Sequence, residues 1–313
     1  MRFSVVIPLF NKAPYVKRAL ESVFDQTFRN FELIVVDDGS TDDSLSVARS
    51  VLEGSAIDYQ LIHQENAGVS TARNNGVAAS HGDYICFLDA DDWWGPSFLE
   101  RMDMLIRDYP DAGIYGTNYY IVKHGEKRIG ALVDSTGYIN YFRSYRRTHM
   151  PLTSISVCIP RPVFNEESGF SPTLKLGEDF DLWVRIALKH NVAFLNEPLA
   201  FYNQDSNPKW RGTGHFTDPQ HHILWNLGEI ESFEGINQDY KRLVDELRVY
   251  SLMPYYLSDK YSEDAKKELQ KVDWRRQPAK YRYLYRLPIR VLKSRRVILS
   301  LGSRIKQWLI KHL

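Results

Sequence analysis

Short apolar runs alternate with segments of helical periodicity over the first hundred residues of the chain. The run FSVVIPL at residues 3–9 predicts a strand, because it is rich in β-branched residues. After Pro14 the apolar residues recur at intervals of three and four, which places them on one helical face. The alternation continues with predicted strands at 31–37, 58–63 and 83–88 and predicted helices from about 41, 70 and 96. This pattern predicts an α/β fold in which helices flank a mostly parallel, Rossmann-like sheet.

Polar side chains follow each of the four predicted strands. They are Asn11-Lys12, the DDGS segment at 37–40, the QEN segment at 64–66 and the DADD segment at 89–92. In a parallel sheet, ligands bind beyond the carboxyl ends of the strands. The sequence therefore predicts one polar crevice to which all four strands contribute.

The second part of the chain divides less clearly. Residues 112–160 show no sustained period, and a second acidic pair, Glu178-Asp179, stands directly before a helical pattern. The segment QDSNPKWRGTG at 204–214 suggests a boundary, and residues 215–313 have a helical pattern with many aromatic residues. We predict an α/β domain over residues 1–212 and a helical C-terminal region over 213–313 that ends in a basic amphipathic segment.

Charge is distributed unevenly along the chain. Twelve Lys or Arg residues lie between Arg275 and Lys311, whereas no Asp or Glu follows Asp273. Residues 1–273 consequently carry 28 basic against 39 acidic side chains. An acidic body disfavours nucleic acid as a partner, since that affinity depends on neutralised phosphates. The basic end predicts contact with an anionic surface.

The last residues suggest which surface this is. From Val297 to Leu313 the apolar residues fall on one side of a helical wheel with basic residues around them, which is typical of helices that lie on anionic membranes. Docking on the protein's own core, or on a second copy in a homodimer, is the alternative. Two cysteines in apolar stretches, a short apolar N-terminus and the lack of a run of about 20 apolar residues predict a cytoplasmic protein, peripheral on the membrane.

Three carboxylates stand within four positions at Asp89, Asp91 and Asp92. Their repulsion is offset most economically by a divalent cation with oxygen ligands. Mg²⁺ or Mn²⁺ takes one or two carboxylates and completes its coordination with water and phosphate oxygens, so the cluster predicts a diphosphate site. A solvated turn before the next helix is the alternative.

Two further residues are candidates for nucleotide contacts. Asp38, at the end of the second strand, could accept a hydrogen bond from the N3–H of uracil. An Asp that recognises the base in this way suits uracil, thymine or guanine. The alternative is that Asp38 only forms a turn. Arg73 lies near the start of a helix, where an anion is favoured, or it is an ordinary exposed arginine. No GxGxxG or GxxxxGK[ST] segment is present, which disfavours a dinucleotide or P-loop site.

Five motifs occur in order along the chain: VVIPLFNK, VVDDGSTD, GVSTARNNG, YICFLDADDWW and LGEDFDLWVRIAL. Together they resemble the inverting glycosyltransferases of family 2, with the nucleotide-binding GT-A fold, over roughly residues 1–205. The resemblance implies metal-dependent transfer of a single sugar from a nucleotide-diphospho-sugar, most simply a UDP-sugar. The acceptor would be a hydroxyl of a saccharide or lipid-linked saccharide in cell-surface polysaccharide or glycolipid synthesis.

The resemblance also implies roles for residues on the nucleotide side. Pro8, Phe10 and Asn11 would line the nucleotide pocket. Asp38 would bind the nucleobase, and Arg73 would support the nucleobase side of the pocket.

On the reaction side, Asp89-Ala90-Asp91 matches the DXD motif of the family. Asp91 would be the main ligand of Mn²⁺ or Mg²⁺, and Asp89 would reach the ribose or the metal. Asp179 matches the general base, and Glu178 would orient this base or bind the acceptor. Trp93-Trp94 could stack on a sugar or pack in the core.

Two features bear on this reading. Many relatives have a basic residue beside an aromatic one where this chain has Phe201-Tyr202-Asn203. Lys209 or Arg211 would then supply the cation over the diphosphate; that both are simply solvated is the alternative. The sequence lacks the membrane spans of processive synthases, which favours transfer of a single sugar. A sugar nucleotidyltransferase and a catalytically inactive membrane-associated scaffold are the alternatives.

Overall fold

One sheet of ten strands organises the chain, of which the computed structural model describes residues 1–148, 150–206 and 217–293. The strand order is β3-β2-β1-β4-β9-β6-β10-β5, with β7 beside β6 and β8 beside β10. The strands are β1 Phe3–Leu9, β2 Phe31–Asp38, β3 Tyr59–Gln64, β4 Tyr84–Phe87, β5 Trp93–Trp94, β6 Ala112–Lys123, β7 Glu126–Ile129, β8 Gly137–Ile139, β9 Val157–Pro160 and β10 Asn191–Asn203. The helices are α1 Val16–Phe24, α2 Ser44–Glu53, α3 Val69–Ala78, α4 Phe98–Asp108, α5 Tyr141–Thr148, α6 Arg161–Glu166, α7 Glu178–Lys189, α8 Gln238–Ser251, α9 Met253–Tyr256, α10 Ser262–Gln270, α11 Ala279–Leu284 and α12 Ile289–Leu292.

The first four strands form the expected parallel half of the sheet. β1 pairs in parallel with both β2 and β4, and β2 pairs in parallel with β3. Every residue of β1 and β2 is buried, which is typical of strands covered on both faces. α3 packs closely on this sheet, because a Cβ at Gly76 would lie 2.4 Å from Cγ1 of Val6.

The second half of the sheet is mixed, so the expectation of a mostly parallel sheet holds for β1–β4 and fails beyond them. β9 lies between β4 and β6 and is antiparallel to both. β10 runs parallel to β6, and β5 is antiparallel to β10. The α/β fold and the helical C-terminal region are confirmed.

The C-terminal region packs against the segment that precedes α7. Backbone hydrogen bonds join Lys175 N to the His221 carbonyl at 2.9 Å and Ile223 N to the Leu176 carbonyl at 3.3 Å. The predicted boundary near residue 212 falls within 207–216, outside the described residues, as do Lys209 and Arg211. The predicted amphipathic segment at 297–313 also lies outside them. Among the described helices, none combines the length and the apolar character needed to span a bilayer.

Candidate active site

The ends of β1, β2 and β3 are tied together by polar contacts. Asn11 adopts a positive φ of 52°, and its side-chain oxygen accepts a hydrogen bond from Thr41 N at 2.8 Å. Asn11 therefore holds the loop after β2 in place. Pro8 is buried in β1 opposite Val36, and Phe10 follows it as a half-buried residue.

The carboxylate of Asp38 is buried and largely satisfied by protein donors. Oδ1 accepts from Gln64 Nε2 and Ala67 N, both at 2.8 Å, and Oδ2 accepts from Gly68 N at 2.9 Å. A carboxylate offers about four acceptor positions, so one remains for a further donor. The loop packs tightly here, since a Cβ at Gly39 would lie 2.9 Å from the Asn66 nitrogen.

The acidic loop after β4 is held from several sides. Nζ of Lys12 lies 2.5 Å from Oδ2 of Asp91, and the hydroxyl of Ser154 donates to Oδ2 of Asp89 at 3.1 Å. The backbone of Asn203, at the end of β10, donates to Oδ1 of Asp92 at 2.7 Å.

Asp92 itself is buried, and its Oδ2 has no hydrogen-bond partner in the described part of the chain. Burial raises the pKa of Asp92 well above its usual range, with the nearby charges of Asp91 and Asp89 adding to the rise. This raised pKa favours the neutral form of Asp92, whereas Asp91 and Asp89 are paired with Lys12 and Arg73.

Arg73 connects the acidic loop to the acidic pair at the start of α7. The buried guanidinium donates to Asp89 Oδ1 at 2.8 Å and to Asp179 Oδ1 at 2.9 Å, and it lies 3.7 Å from Glu178 Oε1. Burial alone would lower the pKa of Arg73, but these three carboxylates raise it above the ordinary value. The charge of Arg73 thus lies between Asp89 and Asp179, and its support of the nucleobase side stays a prediction.

The acidic pair lies in the first turn of α7, directly after Gly177. Gly177 has φ of 86°, the left-handed region that favours glycine, and a Cβ there would lie 2.6 Å from Ile223. Burial raises the pKa of Asp179 to about 7; Arg73 opposes this rise, and the charge of Glu178 adds to it. Asp179 can therefore take up a proton near neutral pH, as a general base must.

The two tryptophans after the acidic loop have different surroundings. Trp94 is buried and stacks on Phe98 with ring centroids 4.1 Å apart, so it packs in the core. Trp93 stacks on Phe201 at 5.2 Å, and the Arg18 guanidinium lies 3.6 Å from its ring centroid. Its ring is thus engaged by protein groups, and the structure does not favour sugar stacking on either tryptophan.

Two residues that contact the acidic loop, Ser154 and Asn203, were not predicted as site residues from the sequence, whereas Lys12 was predicted only as part of the polar crevice. Lys12 belonged to a polar cluster after the first strand, and its position at the strand end was the available signal. Ser154 lies in a 3₁₀ turn at Ser154–Ser156, and Asn203 ends a strand that β6 pairs with; neither has a local sequence pattern that marks it.

The acidic loop fits a divalent cation chemically. Asp89 and Asp91 offer the hard oxygen donors that Mg²⁺ and Mn²⁺ take, and the buried Oδ2 of Asp92 has no hydrogen-bond partner among the described residues. Among the described residues these carboxylates do not form a closed group of three ligands. An open set of this kind suits a metal that shares its coordination with phosphate.

Several curated proteins are similar to this chain in sequence. An uncharacterized glycosyltransferase of Rickettsia conorii is 26% identical over 326 residues, covering 100% of this chain and 52% of that protein. Across four curated relatives, the chain spans from 18% to 52% of their lengths.

Two solved structures share the fold. TarS 1–349 from S. aureus in complex with UDP matches with a TM-score of 0.71 and 17% identity, covering 88% of this chain and 82% of that one. The mannosyltransferase PcManGT from Pyrobaculum calidifontis, in complex with GDP-Man and Mn²⁺, matches with a TM-score of 0.60 and 16% identity, covering 99% and 85%.

A sequence profile decides the family. The profile described as glycosyl transferase family 2 matches residues 4–169, which is more than half of the chain and includes β1–β4 and the acidic loop. This chain therefore belongs to glycosyl transferase family 2.

Proposed function

We propose that the chain transfers a single sugar, with inversion, from a nucleotide-diphospho-sugar to an acceptor hydroxyl in cell-surface polysaccharide or glycolipid synthesis. The main support is the position of Arg73, whose one guanidinium contacts Asp89 at 2.8 Å and Asp179 at 2.9 Å. In a direct displacement, a general base and a leaving group lie on opposite sides of one carbon atom. In this proposal Asp179 is the carboxylate on the side of the base, and Asp89 is the carboxylate on the side of the leaving group.

Asp179 acts as the base in this proposal. Its carboxylate takes the proton of the acceptor hydroxyl as that oxygen attacks the anomeric carbon, and the bond to the diphosphate breaks on the far side. Arg73 orients this carboxylate and, because its charge opposes the raised pKa, increases the ionised fraction at neutral pH. Glu178 lies beside it and is available to the acceptor.

Asp91 and Asp89 would hold Mn²⁺ or Mg²⁺ in this proposal. When bound, the metal would stabilise the negative charge of the departing nucleoside diphosphate. Lys12 lies 2.5 Å from Asp91, so its ammonium group would be close to the phosphate oxygens of a nucleotide bound at this loop. It could take the role that the sequence analysis gave to Lys209 or Arg211.

A UDP-sugar is the donor that we propose. The free acceptor position on Asp38 suits the N3–H of uracil, although the N1–H of guanine would also fit this position. Among the structural neighbours, TarS has been solved with UDP and with UDP-GlcNAc, and PcManGT with GDP-Man. Titrations with UDP and GDP in parallel would decide between the two bases.

Nucleotide titration with and without Mn²⁺ tests the proposal. Wild type should bind UDP more tightly when Mn²⁺ is present, and Asp91→Ala should lose this increase. Asp111→Ala, which removes an exposed carboxylate elsewhere on the surface, serves as the matched control and should behave as wild type. UDP affinity that is independent of Mn²⁺ in wild type would contradict the metal role, and absence of any nucleotide binding would favour an inactive scaffold.

Association with an anionic membrane through residues 297–313 is a second part of the proposal. It would bring the crevice to a lipid-linked acceptor. Co-sedimentation with phosphatidylglycerol vesicles should be strong for the full chain and weak for a chain that ends at residue 293. Equal sedimentation of both chains would show that this segment is not the anchor.

A further inference from the structure

A cavity of about 440 Å³ lies in the C-terminal region, between α9, α10 and α11. It is formed by three aromatic side chains and three basic ones, together with Leu269 and Gln270. The aromatic residues are Tyr256, Trp274 and Tyr285, and the basic residues are Lys266, Arg282 and Arg286. None of these residues belongs to the crevice described above.

The aromatic residues present carbon to the cavity, because their polar atoms are bonded to the protein. The hydroxyl of Tyr285 donates to the Val249 carbonyl at 2.8 Å, and Nε1 of Trp274 donates to the Leu269 carbonyl at 3.2 Å. The rings of Trp274 and Tyr285 lie 5.3 Å apart between centroids. Such aromatic surfaces, with a few charged groups beside them, are typical of sites for small molecules.

The two arginines leave positive charge without a counterpart. Among the described residues, neither Arg282 nor Arg286 has an acidic group within ion-pair distance, whereas Lys266 is paired with Glu263 at 2.6 Å. Both arginines line the same cavity, Arg282 from α11 and Arg286 from the turn after it, so their like charges repel each other. The undescribed segments contain no Asp or Glu that could pair with them.

We propose that this cavity binds a phosphate group carried by a saccharide. Guanidinium groups bind phosphate oxygens through paired N–H donors, and the aromatic rings offer an apolar surface to the sugar. The identification of this ligand as part of the acceptor rests on the proposed function. It would make the acceptor an anionic saccharide that contacts the protein both in the crevice and in the C-terminal region.

Calorimetric titration of the full chain with glucose 1-phosphate tests this inference. Wild type should bind it, and the double variant Arg282→Gln, Arg286→Gln should bind at least tenfold more weakly, which corresponds to about 1.4 kcal/mol. The matched control, Lys280→Gln with Arg290→Gln, removes the same charge from the same region outside the cavity and should bind as wild type. All three proteins should unfold at similar temperatures, since the substitutions lie at incompletely buried positions.

Further titrations separate the sources of phosphate. Equal loss of binding in both variants, or no loss in either, would overturn the site. Inorganic phosphate that binds as tightly as glucose 1-phosphate would overturn the sugar contact, and binding of phosphatidylglycerol vesicles without binding of the sugar phosphate would show a lipid site instead. Because the titration contains no donor nucleotide, its failure would leave the transferase proposal to its own test with UDP and Mn²⁺.

Discussion

Replacement of Arg73 should change the pH dependence of turnover, because this residue opposes the raised pKa of Asp179. Asp179 must be ionised to accept a proton, so turnover should rise with pH through a midpoint near 7 in wild type. Arg73→Met removes the opposing charge and should move this midpoint upward. Arg73→Lys keeps the charge and should move it less.

The size of the change follows from the contact distance of 2.9 Å between Arg73 and Asp179. An opposite charge within about 4–6 Å lowers a carboxylate pKa by about 1–3 units, so its loss should raise the midpoint to about 8 or higher. At pH 7 the ionised fraction would then fall from about one half to about one tenth, a loss of about fivefold in turnover. Much of this loss should be recovered at about pH 9.

The assay is release of nucleoside diphosphate at saturating donor between pH 6 and 9.5, with the nucleotide-sugar that most stabilises the protein against heat. Glu178→Gln is the matched control, and its pH midpoint should shift in the opposite direction, because the charge of Glu178 raises the pKa of Asp179. Its midpoint should move below 7. Midpoints that stay unchanged, or that move in the same direction in Arg73→Met and Glu178→Gln, would refute the electrostatic reasoning.

Three further variants test separate parts of the structure. Asp179→Asn should bind UDP as wild type does and lose turnover by about 10²- to 10⁴-fold; near-normal turnover would refute the base assignment. Lys12→Met should bind Mn²⁺ more tightly without nucleotide, measured by electron paramagnetic resonance, because Asp91 loses a competing ammonium at 2.5 Å; unchanged affinity would contradict this. Arg248→Met should lower the free energy of unfolding in urea by about 1.5–3 kcal/mol, since Arg248 is fully buried and Glu234, 2.7 Å from it, would keep only Lys241 at 3.1 Å; a wild-type urea midpoint would contradict this.

The first half of the fold could be predicted because its pattern is local. The apolar runs of β1 to β4 and the periodicity of the intervening helices each show themselves within about ten residues. β6 and β9 could not be predicted, because their antiparallel pairing joins segments far apart in the chain and leaves no alternation within either strand. Most of their residues are buried, on both faces of the sheet, as in a parallel sheet.

The candidate site shows the same contrast between local patterns and contacts of residues far apart in the chain. The sequence places Asp89 and Asp179 after a strand and before a helix, respectively, and so predicts that they face a crevice. It gives no direction for the side chain of Arg73, which is separated from Asp179 by 106 residues. Its contacts depend on where the rest of the fold brings the start of α7, so a motif alone does not predict them. The hydroxyl of Ser154, 65 residues from Asp89, is a contact of the same kind.

The stretch from α7 to β10 has a mechanical consequence. It begins at the acidic pair and ends at Asn203, which donates to Asp92 at 2.7 Å, so one continuous helix and strand reach both sides of the crevice. Both ends of the stretch contact the acidic loop, the start through Arg73 and the end through Asn203, so a displacement of this loop would change contacts at both ends. A packing defect beneath the acidic loop should therefore misalign the acidic pair and the end of β10 together and reduce turnover, since displacements of about 1 Å can cost a hundredfold in rate.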